Sequence, residues 1–295
     1  MDIEKLRAAV EAAWDEPSLL QESRGLIEET VDRIDLGEIR TADQTDGAWI
    51  VNQWVKKAMM LFMKLRGHSN ISVRGGTQLA PAEHSGFAEF PLKAPSRLQR
   101  VFMPIPSVIR HGSYIADDAR VLDSYVSMGV YIGARTMVVN GSTVGLCAQV
   151  GADVFISSGS NIGSVMMMPL CSRPVILEDG VYIGMNGIVS EGTDPYFDAP
   201  TSSTDEGVVV GAGAILGANV VINRSTPLID MTSAEPREVR GQVPPNAVVI
   251  AGCRTRDLPA GSASVPVSLI VGWREESDDL QKSLHDALRK YSVTP

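Results

Sequence analysis

The stretch VVNGSTVGLCAQVGADVF, Val138–Phe155, sets valines at 138, 144 and 150, with glycine directly after the last two as Gly145 and Gly151. A helix repeats its apolar face every 3.6 residues and a half-buried strand every 2. A period of six fits neither. Outward from this stretch the beat continues without a miss through Ile132, Val138, Val144, Val150, Ile156 and Ile162. Thr136, Ser142, Ala148, Val154 and Ser160 stand four positions after the first five of these, and all are small or β-branched. Later phases give Ile183-Gly184 and Val189, then Val210-Gly211, Leu216-Gly217 and Ile222. Such a repeat is read before single elements. One hexad makes a short strand and a corner, three hexads close a triangular turn, and turns stack at about 4.8 Å, the spacing of paired strands. The aliphatic residue fills the narrow prism, and the next residue is small because the chain bends there.

The rest of the chain is organised around that coil. Residues 1 to about 66 read as helical: Leu6, Val10 and Trp14 share one spacing, Ile27, Val31 and Ile34 another. DGAWIVNQWVKKAMMLFMKL, 46–65, spreads Trp49, Val51, Trp54, Val55, Met59, Leu61 and Phe62 over what reads as about five helical turns. Trp54 is expected in a core, and Lys56-Lys57 on a solvated face. Residues 67–98 read as loop or linker. TDPYFDAPTSSTDE, 193–206, breaks the beat and reads as a loop leaving the coil; 225–245 is a second interruption. SVPVSLIVGW reads as strand. A closing helix places Leu280, Leu284 and Leu288 on one face, expected to cap the stack or pack on a neighbour.

Composition narrows the function classes. The chain has 295 residues, 44% hydrophobic, with 27 glycines and a net charge of −9. That balance argues against an extended basic surface for nucleic acid. Cys147, Cys171 and Cys253 form no close pair, which fits a reduced compartment. No CxxC or HxxxH spacing suggests a metal site. The N-terminus lacks the apolar run of a signal peptide and no run is long enough to span a bilayer, so a cytoplasmic protein without membrane contact is expected.

The strings DGAWIVNQWVKKAMML, SYVSMGVYIGARTMV, TVGLCAQVGADVFISSGSNIG, VILEDGVYIG and VPPNAVVIAG, in order between about 30 and 272, resemble the tetrahydrodipicolinate N-succinyltransferase family. The resemblance implies a mainly β fold: a left-handed parallel β-helix of hexapeptide repeats, an N-terminal α-helical domain, and a small C-terminal strand and helix region. The boundaries expected are 1–98, 99–258 with insertions near 193–206 and 225–242, and 259–295. It also implies a homotrimer with active sites at subunit interfaces, an acyl-CoA thioester co-substrate (succinyl-CoA or acetyl-CoA), a small-molecule amine acceptor, and no metal.

The resemblance locates the departures too. The family carries an aspartate after its TMV string and a glutamate a few residues past its IG turn; here those positions are Val139 and Ile188. An arginine that binds an acceptor carboxylate falls at Phe102, with Arg100 two residues away. Asn140, Gly141, Asn186 and Gly187 differ as well. Amide formation needs a neutral amine, a proton acceptor, and donors for the oxyanion. The scaffold is kept while the acceptor side is rewritten. The expected function is therefore an acyl-CoA-dependent N-acyltransferase on a lysine-pathway-like amine with an altered acceptor site, similar to the homologue in tabtoxin clusters. The alternatives are the true tetrahydrodipicolinate N-succinyltransferase and an inactive homologue that binds CoA or only assembles.

Candidate residues follow. Arg100, Phe102, Asn140 and Asn186 are expected at the substrate; Ser160, Asn161, Gly163, Ser164, Gly213 and Arg254 at the cofactor. Glu191 is a candidate replacement acid, as are Asp194, Asp198, Asp205 and Glu206 of the interrupting loop; the bland reading of each is a solvated charge. Arg254 and Arg256 suit phosphate or plain solvent equally. Met166–Met168 suit a core or interface better than an acyl channel. Cys147 reads as a packed thiol, and His111 as a surface residue rather than a base.

Overall fold

A computed structural model of the chain describes residues 2–66, 92–98, 100–104, 106–163, 173–191, 207–275, 277 and 279–295. Among the described residues it is mainly β, with parallel sheets and four α-helices. Two-residue strands rotate through three sheets in turn, and successive strands on each face pair in parallel. Face one runs Val108–Ile109, Tyr125–Val126, Thr143–Val144, Asn161–Ile162, Ile188–Val189, Val221–Ile222. Face two runs Tyr114–Ile115, Tyr131–Ile132, Gln149–Val150, Ile176–Leu177, Val209–Val210, Gln242–Val243. Face three runs Arg120–Val121, Met137–Val138, Phe155–Ile156, Tyr182–Ile183, Ile215–Leu216 and the start of Ala247–Leu258.

The six-residue beat is the inside of this prism. Ile132, Val138, Val144, Val150, Ile156 and Ile162 are all fully buried, in one continuous cluster. The small positions are buried at the corners, where hydroxyls satisfy carbonyls of the next coil. Thr136 Oγ1 donates to the Gly151 carbonyl at 2.8 Å, Ser142 Oγ to Ser157 at 2.9 Å, and Ser160 Oγ to Gly184 at 3.1 Å. A buried carbonyl left unpaired would be costly, so small hydroxyl residues suit these positions.

The N-terminal helices α1 (Ile3–Asp15), α2 (Arg24–Asp35) and α3 (Gln53–Arg66) pack on one another and on the corner between faces one and two. Leu6, Val10, Ile27, Val31, Val55, Met59 and Phe62 join Met128 and Cys147 of the coil. The end of α2 is tied down ionically. Asp35 accepts from Lys93 Nζ at 2.9 Å, Arg97 Nη1 at 2.8 Å and the Gly112 N–H at 2.9 Å. Lys93 Nζ also donates to the carbonyls of Asp35 and Ser113.

Four expectations change. Trp49 and Val51 lie in an antiparallel hairpin, Ala42–Thr45 with Ala48–Val51, and α3 begins only at Gln53. Asp46 and Gly47 both have positive φ, 49° and 79°, as a two-residue Asp-Gly hairpin turn demands. Lys56 is buried and Lys57 is paired with Glu11 over Trp14, so that pair is not a solvated face. His111 is only 19% exposed, beside Asp32 and Asp35 and against Phe62: an interface residue, not a surface one. The closing helix α4 (Leu280–Lys290) does not cap the stack. Its Leu284, Ala287 and Leu288 lie on the flank, against Phe155, Tyr182, Ile215 and Val248 of face three. The second interruption is a hairpin, Leu228–Asp230 with Arg237–Val239, added beside the long strand Gly261–Trp273.

Candidate functional site

Among the described residues, two faces of the prism are covered and one is open. The hairpin covers part of face two, where Ala42 and Trp49 pack on Ile176 and Val209. Helix α4 covers face three. Face one presents Tyr125, Thr143, Asn161, Ile188 and Val221 in register on successive strands. Exposed apolar side chains collect there and at its edge: Ile188 and Val221 at 36%, Met185 at 45%, Phe102 at 62%.

The corner from face three into face one gathers the positions at which the resemblance expects other residues. Its backbone is a ladder along the stack. The Gly141 N–H donates to the Asp123 carbonyl at 2.8 Å, Gly159 to Asn140 at 3.1 Å, Asn186 to Ser158 at 3.0 Å, and Asn219 to Met185 at 2.9 Å. Asp123, Asn186 and Asn219 take positive φ, 42°, 56° and 59°, a region that Asn and Asp tolerate better than most residues. Val139 sits in this corner: its N–H donates to the Ile156 carbonyl at 2.9 Å, and its own carbonyl accepts from Ser124 Oγ at 3.1 Å. Ile188 opens the face-one strand that leaves the same corner two coils further on. Phe102 lies at the head of face three, bridged to Arg120, and leads into this corner column from above. So Phe102, Val139, Asn140, Asn186 and Ile188, separate in sequence, share one side of the prism.

Other candidates lie elsewhere. Arg100 is held at the corner between faces two and three, by Asp117 at 3.3 Å and Asp118 at 3.1 Å. Among the cofactor candidates, Ser160 and Asn161 belong to the rewritten corner and face one. Gly163 (φ 82°) starts the corner toward face two, on Gly145 and Ala148. Gly213 lies at the corner between faces two and three, its carbonyl accepting from Arg274 at 3.2 Å. Arg254 is out on the long strand, paired with Glu238 at 2.8 Å; Arg256 is exposed further along that strand. Within one chain these six do not converge. Ser164, Met166–Met168, Asp194, Asp198, Asp205 and Glu206 lie outside the described residues.

Glu191 is three residues past Ile188 but at the opposite end of face one, buried and near Lys56 of α3. One carboxyl oxygen accepts from the Val175 N–H at 3.3 Å, and the other has no hydrogen-bond partner among the described residues. Burial pushes its pKa up, against the backbone bonds and the nearby Lys56. The native state therefore holds a proton more tightly than the unfolded chain, and stability falls as pH rises above the ordinary carboxylate range. Glu191→Gln keeps the acceptor for Val175 and removes the charge. The variant is expected to melt higher than wild type at pH 8, by about 1 kcal/mol or more, with the gap closing at pH 5; thermal melts at both pH values check this. Cys147, in the same region, is a packed thiol, its pKa pushed up to about 12 by burial.

A groove that the sequence did not signal, about 700 Å3, runs between the hairpin and face two, lined by Arg40, Trp49, Tyr114, Tyr131, Asp117 and Asp179. Its polar groups are engaged in holding the fold. Arg40 lies 3.7 Å over the Tyr131 ring and donates to Gln149 at 3.0 Å. Glu178 accepts from Trp49 Nε1 at 2.9 Å, and Asp179 from the Ala152 N–H at 2.7 Å. The rewritten corner, with its exposed asparagines, is the better candidate for chemistry.

Comparison with known proteins identifies the relatives. Residues 5–65 match the family described as tetrahydrodipicolinate N-succinyltransferase, N-terminal. The chain is 34% identical over 275 residues to the 2,3,4,5-tetrahydropyridine-2,6-dicarboxylate N-succinyltransferase of Methylorubrum populi, covering 89% of each chain. It is 31% identical over 303 residues to the protein of the same name from Cereibacter sphaeroides, covering 98% of this chain and 100% of the relative. The Acinetobacter baylyi protein of that name is 34% identical over 272 residues, covering 90% and 89%.

Proposed function

This chain belongs to the tetrahydrodipicolinate N-succinyltransferase family of acyltransferases, and we propose that it transfers a succinyl group from succinyl-CoA to the amine freed when water opens the ring of a tetrahydropyridine-2,6-dicarboxylate-type acceptor. The observation that carries this reading is identity of 31–34% sustained over 89–98% of the chain, in relatives that bear that activity in their names. The corner column supplies the reacting surface. Exposed Asn140 and Asn186 offer amide N–H donors to the oxyanion, and the open face one receives the pantetheine arm. The coil is a left-handed β-helix, divided from the terminal regions near residues 98 and 258, and the protein is cytoplasmic. Face one, with exposed Met185, Ile188 and Val221, packs against its copies in a homotrimer, since exposed apolar surface of this kind marks an interface.

A second reading has one observation in its favour. Phe102, Val139 and Ile188 put apolar groups where the resemblance expects an arginine and two acids, all on one side of the prism. An acceptor with fewer charges would suit that wall, because burying an unmatched carboxylate is costly. Thiol release from succinyl-CoA and acetyl-CoA, measured with amines carrying two, one or no carboxylates, separates the readings. The proposed function predicts release at least tenfold faster with succinyl-CoA and the dicarboxylate. A reversed preference selects the altered acceptor. No release with any pair, and no shift in melting temperature on adding CoA, leaves only an inactive homologue.

A further inference from the structure

Resting on the acyl-transfer reading, we infer that Asp123 is the catalytic proton acceptor of this enzyme. Along the described part of the corner column, Leu122–Ser124, Val139–Ser142, Ser157–Ser160, Gly184–Gly187 and Gly217–Val220, Asp123 is the single carboxylate. It stands between the two most telling replacements. The Phe102 carbonyl accepts from the Val121 N–H at 3.0 Å, directly above its turn. Below, its carbonyl accepts from Gly141 at 2.8 Å, and its neighbour Ser124 donates to Val139 at 3.1 Å. Strands stack at about 4.8 Å, so a carboxylate one coil above Val139 lies within a side chain's reach of the space in front of it. Asp123 is exposed, as a group meeting substrate must be. It is held in a left-handed turn, φ 42°, that fixes where its side chain starts. The turn itself is exceptional: inward Val121 and Val126 are five residues apart, whereas the neighbouring inward pairs are six. The shorter corner puts the carboxylate at the bend.

Water first opens the acceptor's cyclic imine to a free amine and a carbonyl, and from that amine the transfer balances without a further reagent. The neutral amine nitrogen attacks the thioester carbonyl, forming the C–N bond, while its proton passes to the Asp123 carboxylate. The tetrahedral intermediate collapses, the C–S bond breaks with its electron pair leaving on sulfur, and Asp123 returns the proton to the thiolate. Amine and thioester become amide and CoA thiol.

The test is steady-state thiol release by Asp123→Asn and Asp123→Glu beside Asp153→Asn, a half-buried acid at the corner between faces two and three that pairs with Arg135. Asparagine tolerates positive φ, so Asp123→Asn keeps the turn. The expected result is a fall in kcat of about 100-fold or more, the scale of a lost general base, with KM for the acyl-CoA and the melting temperature unchanged. Asp123→Glu recovers part of the loss and Asp153→Asn none of it, having lost nothing. If Asp123→Asn retains kcat within threefold, or loses it only with folded protein, Asp123 is not the acceptor and the acyl-transfer reading stands. If wild type shows no acceptor-dependent release, both fall.

Discussion

Replacing Asp35 by alanine is expected to cost about 3–5 kcal/mol, the range for breaking one partner out of a buried ion pair. The Asp35 side chain is fully buried, and that of Lys93 is 1% exposed. Burial alone would push the Asp35 carboxyl up. The hydrogen bonds of His111 and Lys93 and the Lys93 charge overcome it and hold the group well below the usual carboxylate range. Without Asp35, the Lys93 ammonium stays in the same place with two carbonyls and no counter-charge. A depressed pKa contributes stability that is present above the unfolded value and lost as pH falls through and below about 4. Melting wild type from pH 7 downward should therefore show stability falling below about pH 4. At neutral pH Asp35→Ala is expected to melt about 10 °C lower, with a flatter acid limb. Unchanged melting at pH 7 would mean that this ion-pair cluster does not anchor α2 to the coil.

Gly133→Ala is expected to destabilise by about 3 kcal/mol, at the upper end for overpacking. A Cβ there would stand 2.4 Å from the Gly151 carbonyl carbon, 2.5 Å from its oxygen and 2.6 Å from the Ala152 nitrogen. All three are backbone of the next coil, so no rotamer relieves the clash. The two corners must separate, straining the bond from the Gly133 N–H to the Val150 carbonyl, 2.9 Å. Gly25, in α2, has nothing within 4 Å of its Cβ position. Gly25→Ala is therefore expected to hold or gain up to about 1 kcal/mol. Denaturant unfolding of the pair separates tight coil stacking from a general intolerance of glycine loss. Equal, small effects would contradict the stacking.

What the sequence made legible follows from how local each signal is. Inward aliphatics repeat because the prism has room for one such side chain per side of each turn, so Ile132 through Ile162 announced their burial. Gly145 and Gly151 announced the corners. The hairpin carried a local signal too, Asp46-Gly47, but the apolar density of Trp49 to Phe62 pulled the reading into a single helix. Glu191 and Lys56 were misleading for a different reason. Each looks like a solvated charge until α3 is laid on the corner between faces one and two, and that docking is a tertiary event. Asp123 escaped notice because it sits at the one shortened corner early in the coil, where a strict six-residue register slips. The three replaced family positions were legible one at a time; that Phe102, Val139 and Ile188 share one side of the prism became visible only once the coil was wound.

Acyl transfer at the corner from face three into face one requires the thioester to reach that corner. A crystal structure of the protein with CoA tests it most directly. The prediction is a CoA sulfur lying beside Val139, Asn140 and Asn186, with the pantetheine arm along face one. CoA seated instead in the groove between Trp49 and Tyr131, or against α4, would contradict it.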